Sequence, residues 1–251
     1  MGPTGVFVSV SSEVEASAVP RAIPPALVAL VAPDVGMERQ ARVGGVKLSL
    51  LIAMACAIFA GGALALRVNA SSATLKKLEQ AGTLSTMSER QIEDETRNAE
   101  RLFTVARVGS ALFEAPVGLG LAALATVLLG WFLKGRVKGS AVGPVAAATL
   151  LPAAIANLLR GISTLRAASI APDATPLVPM NLTDIAASLG HPLAAWGVKL
   201  GGAFDLFSLW SAIMMAYGVA AAASIPARRA VTGTLVAWLC WRLLTHVAVG
   251  G

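Results

Sequence analysis

The chain has 251 residues, of which 56% are hydrophobic and only 14% charged, and it carries a formal net charge of +6. Soluble domains carry about 25% charged residues, so this composition argues against an ordinary soluble protein. An alanine-rich soluble fold is a poorer explanation because the apolar residues form long unbroken blocks. The basic residues lie beside these blocks, which indicates membrane topology rather than binding to nucleic acid.

The first segment, residues 1–36, contains apolar residues that are repeatedly interrupted by proline (Pro20, Pro24, Pro25, Pro33). Proline removes a helical hydrogen-bond donor and constrains the residue before it, so no membrane-spanning helix fits here. We expect residues 1–36 to be either a disordered tail or an extension upstream of a natural start at Met37. The sequence leaves both possibilities open.

The first apolar block covers residues 48–66, within a predicted anchor segment 37–66. At about 1.5 Å per residue it nearly crosses a hydrocarbon core about 30 Å thick. A signal peptide cleaved after Ala63-Leu64-Ala65 is the alternative. The block exceeds the usual apolar length of such peptides, about 7–15 residues, so an uncleaved anchor helix is favoured.

Residues 67–111 form a strongly polar region. The pattern predicts a short helix over 71–80 that ends at Gly82. Ser88 and Gln91 then form a capping-box pattern that begins a second helix, whose apolar residues recur on one face. The region is therefore predicted to be a helical hairpin, which serves either as a solvated connector or as a docking surface.

Residues 112–251 are predicted to form a four-helix membrane domain with spans at 115–133, 141–159, 206–223 and 230–249. Pro116 falls in the first turn of its span, where proline is tolerated, and Pro152 predicts a kink. The segment 185–200 is interrupted at Gly190, His191 and Pro192, which predicts an interfacial or re-entrant helix anchored by Trp196. The predicted fold is thus an all-α polytopic bundle of about five transmembrane helices.

The distribution of lysine and arginine predicts the orientation. The short connections 37–47, 134–140 and 224–230 hold eight basic residues and one acid, whereas 67–111 and 160–203 mix ten basic residues with eight acids over a much longer stretch. Basic residues concentrate on the cytoplasmic side. We therefore predict a multi-pass protein of the bacterial inner membrane, with a cytoplasmic N-terminus and a periplasmic C-terminus.

Ionisable and polar residues near the spans are the candidate functional residues, because such groups are costly in lipid. Glu114 and Arg160 are equally distant in sequence from the turn at Val137, so they are predicted at the same depth. They either pair or extend independently to the interface. Asn157 is expected to bond to a neighbouring helix rather than to a substrate.

The start of the fourth span carries a second group of candidates. Asp205 is placed to cap that helix. Arg242, in the fifth span, lies about 10 Å deeper along the helix axis, so a contact between Asp205 and Arg242 is possible. Trp210 follows in the same span. All three lie on the side of the membrane that holds Glu114 and Arg160.

The sequence contains no pattern that predicts catalysis or a bound cofactor. Its two histidines, His191 and His246, and its two cysteines, Cys56 and Cys240, have no spacing typical of a metal site. No phosphate-binding glycine loop and no nucleophile elbow is present. We therefore expect no enzyme activity, no cofactor and no metal.

Four features in order resemble bacterial members of the Yip family, named for Ypt/Rab-interacting proteins: Met87-Ser-Glu-Arg-Gln-Ile, the basic loop 134–138, the Pro152-containing span, and Phe204-Asp-Leu-Phe-Ser-Leu-Trp210. The resemblance covers residues 87–248 and implies a bundle of about five helices, in which Asp205, Phe207 and Trp210 match the bacterial pattern in a structural role. The Asp-Leu-Tyr-Gly-Pro motif of eukaryotic members is missing, so their trafficking function is not implied.

Two hypotheses of function follow. The first is a non-catalytic scaffold or accessory component that contacts the bilayer and other membrane proteins, or copies of itself, through helix faces and the 67–111 hairpin. The second is a component of small-molecule or lipid transport, suggested by the kinked third span, the broken segment 185–200 and the ionisable residues. Neither hypothesis involves nucleic acid.

Overall fold

The computed structural model describes residues 23–167, 170, 178–191 and 193–245. This part of the chain is helical, with isolated backbone bridges but no β-strand. Its helices are α1 (Pro25–Val31), α2 (Pro33–Val43), α3 (Lys47–Arg67), α4 (Ala70–Gln80), α5 (Glu89–Phe132), α6 (Gly139–Ala148), α7 (Leu151–Arg166), α8 (Leu182–Ser188), α9 (Ala195–Ala203), α10 (Leu206–Ala223) and α11 (Ala227–Leu243).

Among the described residues, four segments are long and apolar enough to cross a membrane: α3, α5, the combined α6–α7 segment Gly139–Arg166, and α10. They correspond to the first four predicted spans. The fifth predicted span, 230–249, is represented by α11, which has 17 residues and is slightly shorter than the shortest of these four segments, the 18-residue α10. Residues 246–249 lie outside the described part. The all-helical membrane-type fold agrees with the prediction, and a fifth span remains a proposal.

Helix α5 is much longer than the sequence predicted. Ser88 and Gln91 form the expected reciprocal capping box, and Gly82 adopts φ +70° before it. The helix then continues for 44 residues, because no glycine turn or second cap interrupts it. Pro116 consequently lies inside the helix, which corrects the prediction that it falls in a first helical turn. Helix α4 packs against its first half, completing the predicted helical hairpin.

The third span is interrupted where a kink was predicted. Helix α6 ends at Ala148 and α7 begins at Leu151, with Pro152 in the first turn of α7. The hydroxyl of Thr149 donates to the carbonyl of Ala146 at 2.8 Å and stabilises the interruption. Proline fits here because a first-turn N–H has no intrahelical partner to lose.

Residues 25–36 are structured, which contradicts the prediction of disorder for the described part of 1–36; residues 1–22 lie outside the described residues. Pro25 and Pro33 begin helices α1 and α2. The two helices fold back on each other so closely that Gly36 faces the backbone of Ala29. Ala29 and Met37 are fully buried in a core cluster with Val145 and Met214. These two prolines therefore begin helices instead of preventing them.

One end of the bundle, which we call the basic end, gathers the short basic connections. The amides of Arg136 and Lys138 donate to carbonyls of Ala223 and Ala222, joining the two turns. The end of α2 joins them through Gln40, whose Nε2 donates to the carbonyl of Pro144 at 3.0 Å. At the opposite end, which we call the far end, Val68 and Ile170 form a parallel bridge between the segments after α3 and α7.

The segment 185–200 is not one interfacial helix. It forms parts of two short helices, α8 and α9, separated by a turn in which Gly190 has φ +76°. The Thr183 hydroxyl donates to the Val198 carbonyl at 2.9 Å and holds them together. Trp196 is 72% exposed on this hairpin at the far end, as a membrane-surface anchor would be.

Candidate functional site

A cavity of about 750 Å³ lies between α5, the α6–α7 junction, α10 and α11. Five of the six residues selected from the sequence line it: Glu114, Asn157, Arg160, Asp205 and Arg242. Its remaining wall is mainly apolar and includes Ala122, Ala125, Leu128, Leu129, Leu150, Ala153, Ala156, Phe207, Ala212, Met215, Ala237, Trp238 and Trp241. The ionisable residues therefore cluster at one end of an apolar cavity.

Asn157 joins Glu114 and Arg160 at the far end. Asn157 is only 7% exposed, and its Nδ2 donates to Glu114 Oε1 at 2.8 Å. Arg160 Nη1 donates to Asn157 Oδ1 at 3.4 Å. The equal depth predicted for Glu114 and Arg160 agrees with this arrangement, in which the amide bridges the two charges. Asn157 also makes the interhelical bond expected of it.

Asp205 caps α10 as predicted. Its Oδ1 accepts from the backbone N–H of Phe207 at 2.9 Å. A carboxylate in this position satisfies a free donor and lies favourably in the helix dipole. The backbone around Asp205 also pairs with Asn181, which attaches the start of α10 to the α8–α9 hairpin.

Arg242 contacts the polypeptide beside Asp205. Its Nε donates to the carbonyl of Ala203 at 2.8 Å and its Nη2 to that of Gly202 at 3.4 Å. These carbonyls end α9, where a positive charge is stabilised by the helix dipole. Within the described residues no ion pair joins Arg242 to Asp205. In place of the predicted contact with the Asp205 carboxylate, Arg242 binds the backbone carbonyls of the residues two and three positions before Asp205.

Trp210 lies apart from the other selected residues. It packs against the buried cluster formed by α1, α2, α6, α7 and α10, and its ring stacks near Phe207 with centroids 6.5 Å apart.

Sequence reasoning missed several polar residues of the cavity wall. Thr234 and Trp238 precede Arg242 at intervals of four residues, so all three lie along one face of α11. Thr234 Oγ1 and Trp238 Nε1 are buried, and neither has a partner within the described residues. A four-residue polar repeat inside an apolar helix is the signal that could have identified this face before the structure.

No group of three or more histidine, cysteine or acidic residues within the described ranges is arranged to hold a metal ion. The charged end of the cavity instead offers the N–H donors of two arginines and the acceptor oxygens of two carboxylates.

Comparison with known proteins identifies no family. No family model matches the chain, no curated protein matches it, and no solved structure resembles it. The similarity to the bacterial Yip family therefore remains a prediction from the sequence.

Proposed function

We propose that this chain is a five-span protein of the bacterial inner membrane, with its basic end in the cytoplasm and the α4–α5 hairpin in the periplasm. The four apolar segments and the adjacent α11 support this count. The gathering of the short basic connections at one end supports the orientation, because lysine and arginine are retained on the cytoplasmic side.

Thiol labelling tests this orientation. In a background without Cys56 and Cys240, Ser85→Cys places a thiol in the α4–α5 turn and the matched Ser140→Cys places one at the basic end; both positions are exposed. A membrane-impermeant maleimide should label the first variant in intact cells and the second only after lysis. The reverse pattern, or labelling of both in intact cells, would contradict the proposed topology.

Within that membrane we propose that the protein binds an amphiphile without catalysing a covalent reaction, as a lipid-handling or transport component. The observation that carries this is the cavity of about 750 Å³, a volume typical of ligand sites, with its charges at one end of an apolar wall. An apolar wall does not hold water well, so a hydrocarbon chain is the natural occupant.

Filling the cavity tests the proposal. Ala237→Phe places a ring in the cavity wall, and Val236→Phe adds the same ring one residue away on α11 at a position that is 55% exposed and outside the cavity. Native mass spectrometry of the purified chain should show one retained amphiphile in the wild type and in Val236→Phe. It should show none in Ala237→Phe. Equal retention in all three would refute the cavity as the binding site.

The α4–α5 hairpin favours a second function, a scaffold for a membrane assembly. Helix α5 has 44 residues and is about 66 Å long, roughly twice the hydrocarbon core, so its first half projects beyond the bilayer with α4 packed on it. Gentle extraction should then recover a stoichiometric partner that is lost when residues 70–88 are replaced by a short glycine-serine linker. Recovery of the chain alone would count against this function.

A further inference from the structure

The charged end of the cavity holds two cations and two anions that do not neutralise each other directly. Among the described residues, no contact of ion-pair length joins Arg160 or Arg242 to Glu114 or Asp205. Arg160 donates to an amide oxygen, and Arg242 donates to two backbone carbonyls. A guanidinium has five N–H donors, so both arginines retain donors for a further acceptor.

The two carboxylates also retain acceptor capacity. Glu114 accepts from Asn157, and Asp205 accepts from the amide of Phe207. An ionised carboxylate offers about four lone-pair sites, so each keeps room for another donor. A ligand that carries both an anionic group and an N–H-bearing cation would complement both sets of residues.

Phosphate is an anionic group that suits the arginines, because guanidinium groups bind its oxygens through paired, charge-assisted hydrogen bonds, and it is the anion that phospholipid headgroups carry. A primary ammonium suits the carboxylates because it supplies three N–H donors. A quaternary ammonium has no N–H to donate and is recognised by the faces of aromatic rings. The carboxylates therefore favour a primary amine over a choline group.

The apolar wall matches one lipid chain in length. From Asp205 to Met215 the wall follows α10 for ten residues, or about 15 Å. Half of a hydrocarbon core about 30 Å thick is the same length, which is the depth that a single leaflet fills. A chain that entered at the charged end would therefore lie along the wall with its headgroup at the level of the arginines.

We propose that the cavity holds one acyl chain of a zwitterionic phospholipid with a primary-amine headgroup, drawn from the leaflet at the far end. Its phosphate accepts from Arg160 and Arg242, its ammonium donates to Glu114 and Asp205, and its second chain stays in the bilayer. This inference rests on the proposed amphiphile-binding function and adds the class of ligand.

The test titrates the full-length chain in detergent with phosphatidylethanolamine, phosphatidylcholine and phosphatidylglycerol of identical acyl chains, with bound lipid counted by native mass spectrometry. The ethanolamine lipid should bind about tenfold more tightly than the other two, because neither the choline nor the glycerol headgroup has an ammonium N–H to donate to the carboxylates. Ala237→Phe should abolish binding of all three.

Three substitutions separate the contributions of the headgroup. Arg160→Gln should weaken the ethanolamine and glycerol lipids alike, about tenfold. Glu114→Gln retains an acceptor for Asn157 and should reduce the preference for ethanolamine, of which Asp205 keeps a part, without weakening binding of the glycerol lipid. Arg101→Gln, at an exposed position outside the cavity, is the control and should change neither.

The outcomes distinguish this inference from the function on which it rests. Equal binding of the three lipids, or a preference for choline or glycerol, would overturn the headgroup assignment; if Ala237→Phe still abolished that binding, the cavity would remain the site. Binding that Ala237→Phe does not reduce, or no retained lipid of any kind, would refute both.

Discussion

The fold of the N-terminal helical hairpin makes a sharp prediction at Gly36. A Cβ atom added there would lie 2.2 Å from the backbone nitrogen and 2.3 Å from the Cα of Ala29. These are backbone atoms of a fully buried residue, so no flexible side chain can move aside. In Gly36→Ala, α1 and α2 must therefore separate by more than 1 Å, since carbon atoms in contact lie about 3.5–4.0 Å apart.

The expected loss follows from two opposing contributions. Overpacking of a core costs about 1–3 kcal/mol, and a contact this short belongs at the upper end. Replacing a helical glycine by alanine returns about 1 kcal/mol of helix propensity. The net loss should be about 1–2 kcal/mol, which lowers the melting temperature by roughly 2–8 °C for a chain of this size.

Gly62→Ala is the matched control, because a Cβ at this position of α3 meets no atom within 4 Å. Thermal unfolding of both variants should be followed in detergent by tryptophan fluorescence. Gly62→Ala should melt at or slightly above the wild-type temperature, and Gly36→Ala should melt below it. A melting temperature for Gly36→Ala equal to that of the control would show that α1 and α2 do not pack as described.

Three further substitutions test individual hydrogen bonds. Asn157→Ala removes the bridge between Glu114 and Arg160 and should lower the free energy of unfolding by about 1 kcal/mol, measured as a melting temperature about 2–4 °C lower. The control Asn98→Ala, at an exposed position, should not lower the melting temperature. Asp205→Ala removes the cap of α10, which should cost about 0.5–2 kcal/mol of stability and speed amide exchange in the first turn of the helix. Asp205→Asn keeps an accepting oxygen and should retain the protection from exchange. Equal protection in both variants would contradict the cap. Ser88→Ala should accelerate exchange over residues 89–92 without changing the melting temperature, since it caps the end of α5 that projects beyond the bilayer. Unchanged exchange would show that the capping box contributes nothing.

Interactions between neighbours in sequence were predictable from residue types. Ser88 with Gln91 and Asp205 with Phe207 are local caps, because the capping side chain and the amide it satisfies lie within one turn. The common depth of Glu114 and Arg160 was also predictable, because residues counted along two helices from a shared turn measure distance along the membrane normal.

Interactions with backbone and interactions between small residues were not predictable. Arg242 binds the carbonyls of Gly202 and Ala203, which any sequence at that position would offer. The contact of Gly36 with Ala29 depends on the absence of side-chain atoms at Gly36. The helices α1 and α2, which make this contact, begin at prolines that the sequence analysis interpreted as helix breakers. The cavity has the same origin, since small residues such as Ala122, Ala153 and Ala237 leave the space that larger ones would fill.

The continuity of α5 has a mechanical consequence. One continuous helix joins the hairpin beyond the far end to the turn at Lys134, and its interior Pro116 lacks the amide that would bond to the preceding helical turn. Pro116 is therefore a natural pivot, and it lies two residues from Glu114 in the cavity wall. A bend of α5 at Pro116 would displace two residues of the cavity wall, Glu114 before the proline and Ala122 after it, relative to each other.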